Sequence, residues 1–310
     1  MKTKIIFLNL VALLFGCGLA YAQQRPVVSQ YMFNGLLLNP AYAGVQGYFS
    51  AMALNRNQWV NFEGSPVTTT LAAQTNVKNK PIGLGMLMSF DQVGVHDDFG
   101  LYTSYSYQVK TAGGTLSMGL QVGFNNLKSQ FSEVFVEDPD DPYFSSNISN
   151  LKANLGTGVF YFNDISYFGI SIPYILKNRT LRDFGFSREI TESRNYYITG
   201  GIILDLDPKL KIKPSLLVRL EDGMPLGIDT NINFYLDDVV NIGASYRSGD
   251  SFISQFELQI NNYLKFGYAY DWIVSEITRY SSGTHELMIN YRLNLYAPKK
   301  HRMCPGPTYF

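Results

Sequence analysis

Through residues 284–296 apolar and polar side chains take turns. Leu287, Ile289, Tyr291, Leu293 and Leu295 fall on one side of an extended chain, and Glu286, Met288, Asn290, Arg292 and Asn294 on the other. Successive side chains alternate faces in a strand, so this is a ribbon with one apolar and one polar face. The rhythm returns along the chain. Leu116, Met118, Leu120, Val122 and Phe124 oppose Ser117, Gly119, Gln121, Gly123 and Asn125. Leu226, Ile228, Ile232 and Phe234 oppose Gly227, Asp229, Asn231 and Asn233, and Leu264, Phe266, Tyr268, Tyr270 and Trp272 oppose Lys265, Gly267, Ala269 and Asp271. Fourteen candidate strands result, at 47–56, 66–77, 82–91, 99–110, 115–127, 151–162, 165–175, 194–205, 209–220, 226–236, 239–247, 252–260, 263–272 and 284–296. The pattern is weakest in the seventh and eighth, where 168–172 and 202–204 lack a clear polar face. Segments of about ten alternating residues, repeated this often, predict a transmembrane β-barrel with lipid outside and a polar lumen.

The connections are sorted as well as the strands. Every second one is short: Asn79-Lys80, Ala112-Gly113-Gly114, Asn163-Asp164, Asp207-Pro208, Asp237-Asp238 and Asn261-Asn262. Long ones, at 58–65, 128–150, 176–193 and 273–283, fall between them. Outer-membrane barrels have short periplasmic turns and longer extracellular loops; a soluble sandwich has no reason to sort its loops this way. The expected fold is all-β, a single antiparallel transmembrane β-barrel of about 14 strands with both termini periplasmic. The expected divisions are a signal peptide at 1–22, a periplasmic N-terminal segment at 23–45, the barrel at 46–296 and a periplasmic tail at 297–310.

Composition agrees with this reading. Charged residues make up 16% and aromatic residues 15%, with 22 Tyr, 21 Phe, 2 Trp and 27 Gly. The 25 basic and 25 acidic side chains cancel, so nothing resembles the basic face that nucleic acid requires. Lys2 and Lys4, the apolar run 5–15 and Ala20-Tyr21-Ala22 read as a signal peptide; a lipoprotein signal ending at Cys17 is the competing reading. Beyond Ala22 no apolar run reaches the ~18–20 residues of a membrane helix, so an exported chain that spans a membrane does so as a barrel. Loss of Cys17 leaves Cys304 alone, with no internal disulfide.

No catalytic constellation is legible. His96, His285 and His301 have no ligand partners at metal-binding spacing, and no Gly-x-Ser-x-Gly accompanies the serines. The acidic run 137–142 lacks the ligand rhythm of a calcium loop and reads as a solvated tip. Gly83-x-Gly85 lies in a strand, where it marks small residues facing the lumen. Asp91, Lys152, Lys211, Lys213, Arg219, Asp229, Arg247, Glu257, Lys265, Asp271, Glu286 and Arg292 lie on the polar faces. Signs this mixed suit pairs pinned across a filled interior better than a selective channel. No cofactor and no metal are expected.

These pieces resemble the PorP/SprF membrane proteins of the type IX secretion system. The resemblance is carried by Gln30-Tyr31-Met32-Phe33-Asn34, Asn39-Pro40-Ala41-Tyr42-Ala43-Gly44, Arg56-Asn57-Gln58-Trp59 with Gly64-Ser65-Pro66, Gly83-Leu84-Gly85, Asp91-Gln92-Val93-Gly94, Gly267-Tyr268-Ala269-Tyr270-Asp271 and Ser282-Gly283-Thr284-His285-Glu286, in that order. It implies an outer-membrane barrel of a Gram-negative cell, not an enzyme, that serves secretion or surface attachment of adhesin-type cargo, in some cases with gliding motility. Its implied partners are a secreted substrate with a C-terminal sorting domain, other periplasmic or outer-membrane secretion components, and membrane lipid. Docking is expected at the long loops and at the N-terminal segment, with Gln30, Tyr31, Asn34, Asn39, Pro40, Tyr42, Tyr143, Phe144, Phe184 and Tyr280 as candidate partner-binding residues. The alternative is a solute channel or hydrophobic-ligand transporter.

Overall fold

The computed structural model describes residues 27–133, 147–177, 179–182, 188–191 and 193–296. The strands are β1 (Phe49–Asn57), β2 (Val67–Asn76), β3 (Ile82–Val93), β4 (His96–Thr111), β5 (Gly114–Ser129), β6 (Ile148–Phe162), β7 (Ser166–Ile172), β8 (Arg179–Arg182), β9 (Arg188–Thr191), β10 (Asn195–Ile202), β11 (Leu204–Asp207), β12 (Leu210–Glu221), β13 (Gly227–Leu236), β14 (Val240–Arg247), β15 (Ser251–Gln259), β16 (Leu264–Ile273) and β17 (Thr284–Leu293). β8 and β9 form a separate hairpin inside a long connection. β10 and β11 are one wall position interrupted at Ile203, so seventeen strands give fourteen wall positions. Each is antiparallel to its neighbours. The ring closes twice over, by β1 on β17 (Phe49 opposite Leu293) and by β10 on both β7 and β12. Closure pairs most strand edges that lipid would otherwise leave unsatisfied; among the described residues, β11 and the part of β6 before Thr157 have a strand partner on one side only.

The faces divide as the alternation requires. On β5, Leu120 is 64% exposed while Ser117 is fully buried. On β17, Leu287, Ile289 and Tyr291 face out, and Glu286, Met288, Asn290 and Arg292 are buried inside. Outward aromatics gather toward both rims, with Phe90, Tyr246, Phe252 and Trp272 near the long connections and Tyr107, Phe168, Phe234 and Tyr291 nearer the short turns. This is the belt arrangement of an outer-membrane barrel.

Three local differences from the sequence reading have simple causes. β7 stops at Ile172 rather than 175 because Pro173 has no amide hydrogen to give the ladder. β5 runs on to Ser129 and β6 starts at Ile148, so this part of the wall stands taller and the intervening loop is shorter than 128–150. The eighth candidate strand breaks at Ile203, inside one of the stretches whose polar face was weak. The signal peptide, both cysteines, the acidic run 137–142 and the tail 297–310 lie outside the described residues.

The largest difference concerns the N-terminal segment. Expected beneath the barrel, residues 27–47 instead run through it, from Ser29 at the long-loop end to Gly44 by the short β2–β3 turn, so the first described residues lie at the opposite end from the periplasmic side expected for the N-terminus. Three short 3-10 turns, Tyr31–Phe33, Gly35–Leu37 and Pro40–Tyr42, follow one another down the lumen. Asn34 and Asn39 each extend before a turn and accept an N–H from two residues on, Leu36 N at 3.2 Å and Ala41 N at 2.9 Å. This is the Asx device that starts a turn without a longer helix. The segment goes inside because its Tyr, Met, Phe and Leu side chains gain by leaving water. The core of the molecule is therefore this segment, packed on Met52, Leu54, Leu87, Tyr102, Phe160, Leu217 and Met288 of the wall.

Candidate functional site

The filled lumen and its mouth at the long-loop end are the candidate site. The segment enters near that mouth, where Glu286 receives it. The carboxylate accepts the backbone N–H of Ser29 at 2.6 Å and of Gln30 at 3.0 Å, and Ser29 Oγ donates to Asp271 at 2.8 Å. Arg56 lies between the two acids, 2.9 Å from Glu286 and 2.8 Å from Asp271. From there the charges alternate around half the ring. Arg247 lies 3.8 Å from Asp271 and 3.0 Å from Asp229, and Arg219 lies 3.0 Å from Asp229. Three arginines and three carboxylates, all largely buried, thus form one chain of ion pairs along this half. A buried pair of this kind costs more to break than it contributes on its own, so its clearest effect is to hold the segment in register. Nearer the turns, Lys265 pairs with Glu257 at 2.6 Å.

Farther down, the wall holds the segment strand by strand. Asn231 Nδ2 donates to Tyr31 Oη at 2.6 Å, and Lys213 Nζ to Met32 O at 3.4 Å. Ser171 Oγ reaches Leu38 O at 2.6 Å, and Asn39 Nδ2 reaches Val159 O at 3.0 Å. Ser117 Oγ reaches Ala41 O at 2.6 Å and Ser106 Oγ reaches Ala43 O at 2.7 Å. Gly44 N donates to Gln74 at 3.2 Å. Glycines open the wall where the segment leans on it: a Cβ at Gly119 would overlap the backbone of Ala41, and one at Gly83 would overlap Ala43 O. Gly83 thus faces the lumen, as its strand position implied.

The candidate partner-binding residues separate into three groups. Gln30, Tyr31, Asn34, Asn39, Pro40 and Tyr42 come together, but inside the barrel and all buried. While the segment is docked, an outside partner has no surface of theirs to touch; their roles are the internal ones above. Tyr280 projects from the 274–283 connection and is 69% exposed. Tyr143, Phe144 and Phe184 lie outside the described residues. Ser29 and Arg56 were not singled out as site residues, although Arg56 stood in one of the family-like motifs; a lone arginine on the polar face of the first strand was the available signal.

Elsewhere, His285 Nδ1 lies 2.8 Å from Tyr268 Oη and His96 Nδ1 lies 2.8 Å from Ser129 Oγ. Among the described residues no three His, Cys, Asp or Glu side chains gather as metal ligands, and no helix is long and apolar enough to cross a membrane.

Solved structures with a similar course of chain are outer-membrane barrels. The CymD monoaromatic hydrocarbon channel shares 10% identity over 90% of this chain and 96% of its own, with a TM-score of 0.51. A Pseudomonas aeruginosa FadL homologue shares 10% identity, with 86% and 94% covered and a TM-score of 0.48. The Acinetobacter baumannii outer membrane protein Omp33 shares 8% identity, with 79% and 97% covered and a TM-score of 0.46. Identities this low speak to the fold alone. No curated protein matches the chain. The model of one family, described as type IX secretion system membrane protein PorP/SprF, matches residues 20–291. The barrel is thus an outer-membrane protein, and the chain belongs to the PorP/SprF family of type IX secretion system membrane proteins.

Proposed function

We propose that this barrel is a docking component of the type IX secretion system, holding a secreted or surface-anchored substrate at its long-loop mouth and other secretion components at its turn end. The substrate's C-terminal sorting domain meets the long connections and the rim they surround. The observation that carries this reading is the lumen's content. Residues 27–47 fill it and are hydrogen-bonded to strands on every side. A filled barrel suits binding rather than permeation. An open solute channel would need this segment elsewhere, which makes the transporter reading the weaker one. Exposed aromatic residues such as Tyr280 suit a protein partner, because tyrosine offers contact area with a polar tip.

The test is capture from outer membranes in mild detergent with the full chain as bait, followed by mass spectrometry, comparing wild type with a chain lacking 134–146. Recovery of a secreted protein with a C-terminal sorting domain, reduced by the loop deletion, supports the reading. A barrel recovered alone, or a partner held equally well after the deletion, would overturn it.

A further inference from the structure

The outer face of the wall changes character over three cross-strand rows near the long-loop end. Leu71, Met88, Leu101 and Phe124 stand side by side across β2 to β5 and are wholly apolar. One row above, Phe90 and Phe99 meet with ring centroids 5.0 Å apart, flanked by Thr69 and Asn126. The next row holds Gln92, Asp97 and Lys128. A depression of about 480 Å³ spans the upper two rows, within the range of ligand sites, about 300–1,000 Å³. The charged row stands about 7 Å above the aromatic one, two residues at about 3.4 Å each. That is the depth of a lipid headgroup layer, about 5–8 Å on each side of a bilayer. Phe90 belongs to the aromatic belt of this rim, so the apolar row lies against acyl chains and the charged row among headgroups.

Asp97 and Lys128 are direct neighbours in the β4–β5 register. Opposite charges so placed ordinarily pair with each other. Here Asp97 instead accepts the Gln130 amide, Nε2 to Oδ2 at 2.7 Å, and Lys128 makes no ion pair among the described residues. Asp91 and Asp98 border the depression from the lumen side, where Thr68 and Asn125 donate to them. We infer that the depression seats one outer-leaflet lipid with a phosphoethanolamine head, its phosphate on Lys128, its ammonium on Asp97 Oδ1 and its acyl chains along Met88 and Leu101. Both contacts are charge-assisted hydrogen bonds, and the two side chains start about 5 Å apart across the strands, close enough for one small head to reach both. A head with negative charge alone would meet Lys128 but be repelled by Asp97. An uncharged sugar head would answer neither. The inference stands apart from the docking reading.

The probe is phosphatidylethanolamine, added stepwise to the full chain in detergent and counted by native mass spectrometry, beside phosphatidylglycerol with the same acyl chains. One phosphatidylethanolamine per barrel is expected to bind about fivefold more tightly than phosphatidylglycerol, the most that an ion pair at a partly exposed rim contributes. Asp97→Asn is expected to erase that difference, and Lys128→Gln to weaken both lipids about fivefold. Variants whose heat-dependent gel mobility shows a folded barrel are compared; if one fails to fold, the other and the two-lipid comparison still decide. Phosphatidylglycerol held as tightly as phosphatidylethanolamine by the wild type, uptake of several lipids with no first one preferred, or indifference to both substitutions would overturn the inference. Partner capture from outer membranes is read separately. Selective lipid binding with no captured partner sinks only the docking reading, and capture without selective lipid binding sinks only this site.

Discussion

Replacing Glu286 with alanine isolates the anchor that starts the lumen segment. The carboxylate accepts two buried backbone N–H groups, from Ser29 and Gln30, and pairs with buried Arg56. Leaving two buried amides without acceptors costs about 2–6 kcal/mol. Breaking a buried ion pair from one side costs about 3–5 kcal/mol. Arg56 keeps Asp271 at 2.8 Å, which reduces the second figure, and the two overlap because one side chain serves both. A loss of about 5 kcal/mol is therefore reasonable, which shifts the docked-to-released ratio of this end several thousandfold. The barrel strands keep their ladders, so release precedes unfolding. A Val28→Cys reporter, in a chain with Cys304 replaced by serine, reads the change, because Val28 is only 8% exposed when docked. Its rate of modification by a bulky maleimide should rise by about the same factor in Glu286→Ala. Glu286→Gln keeps one acceptor oxygen and should lie between the two. An unchanged rate in Glu286→Ala, with the barrel still folded, would refute the claim that this carboxylate holds the segment in place.

The wall contacts give smaller, separable effects. Ser117→Ala and Ser106→Ala each remove one hydroxyl donor to a segment carbonyl and should each cost about 1 kcal/mol, read as a lower midpoint of heat-dependent gel mobility. Gly119→Val forces a side chain into the Ala41 backbone and should cost about 1–3 kcal/mol by the same assay; a midpoint unchanged by it would mean the segment does not lean there. Leu120→Lys puts a charge on the lipid face, where 64% of the leucine is exposed, and should cost about 2–4 kcal/mol near mid-bilayer, measured by denaturant titration in vesicles. Tyr280→Ala should leave stability within about 0.5 kcal/mol yet reduce partner capture from outer membranes; full capture would remove this residue from the docking surface.

The barrel was legible because strand alternation is a local signal repeated many times. Ser117 to Asn125 and Asp229 to Asn233 show their lumen faces in the bare chain. Many of the mixed charges also read correctly as internal pairs, as in Arg219–Asp229, Arg247–Asp271 and Lys265–Glu257, whereas Lys213 reaches Met32 O and Arg292 reaches Gln259. What escaped was the destination of residues 27–47. Gln-Tyr-Met-Phe-Asn followed by Asn-Pro-Ala-Tyr reads as a loop or short helical turn, which the three 3-10 turns match, but nothing in it says that the stretch fills the lumen. Only the three-dimensional closure brings Glu286, 256 residues from Gln30 in sequence, to the amide it accepts. Arg56 was obscure for the same reason: its two acids come from the far end of the chain. The break at Ile203 was hinted at by a weak polar face, whereas the extra height of β5 and β6 was not, because their ends keep alternating into what looked like loop.

The most direct test of the account is single-particle imaging of the barrel taken from outer membranes together with whatever it holds. The account predicts density for residues 27–47 inside the lumen, seated on Glu286 and against Gly119, and a secreted partner's C-terminal domain on the long-loop mouth. An empty lumen, or a partner chain threaded through it in place of the segment, would contradict a docking barrel and point to a conduit.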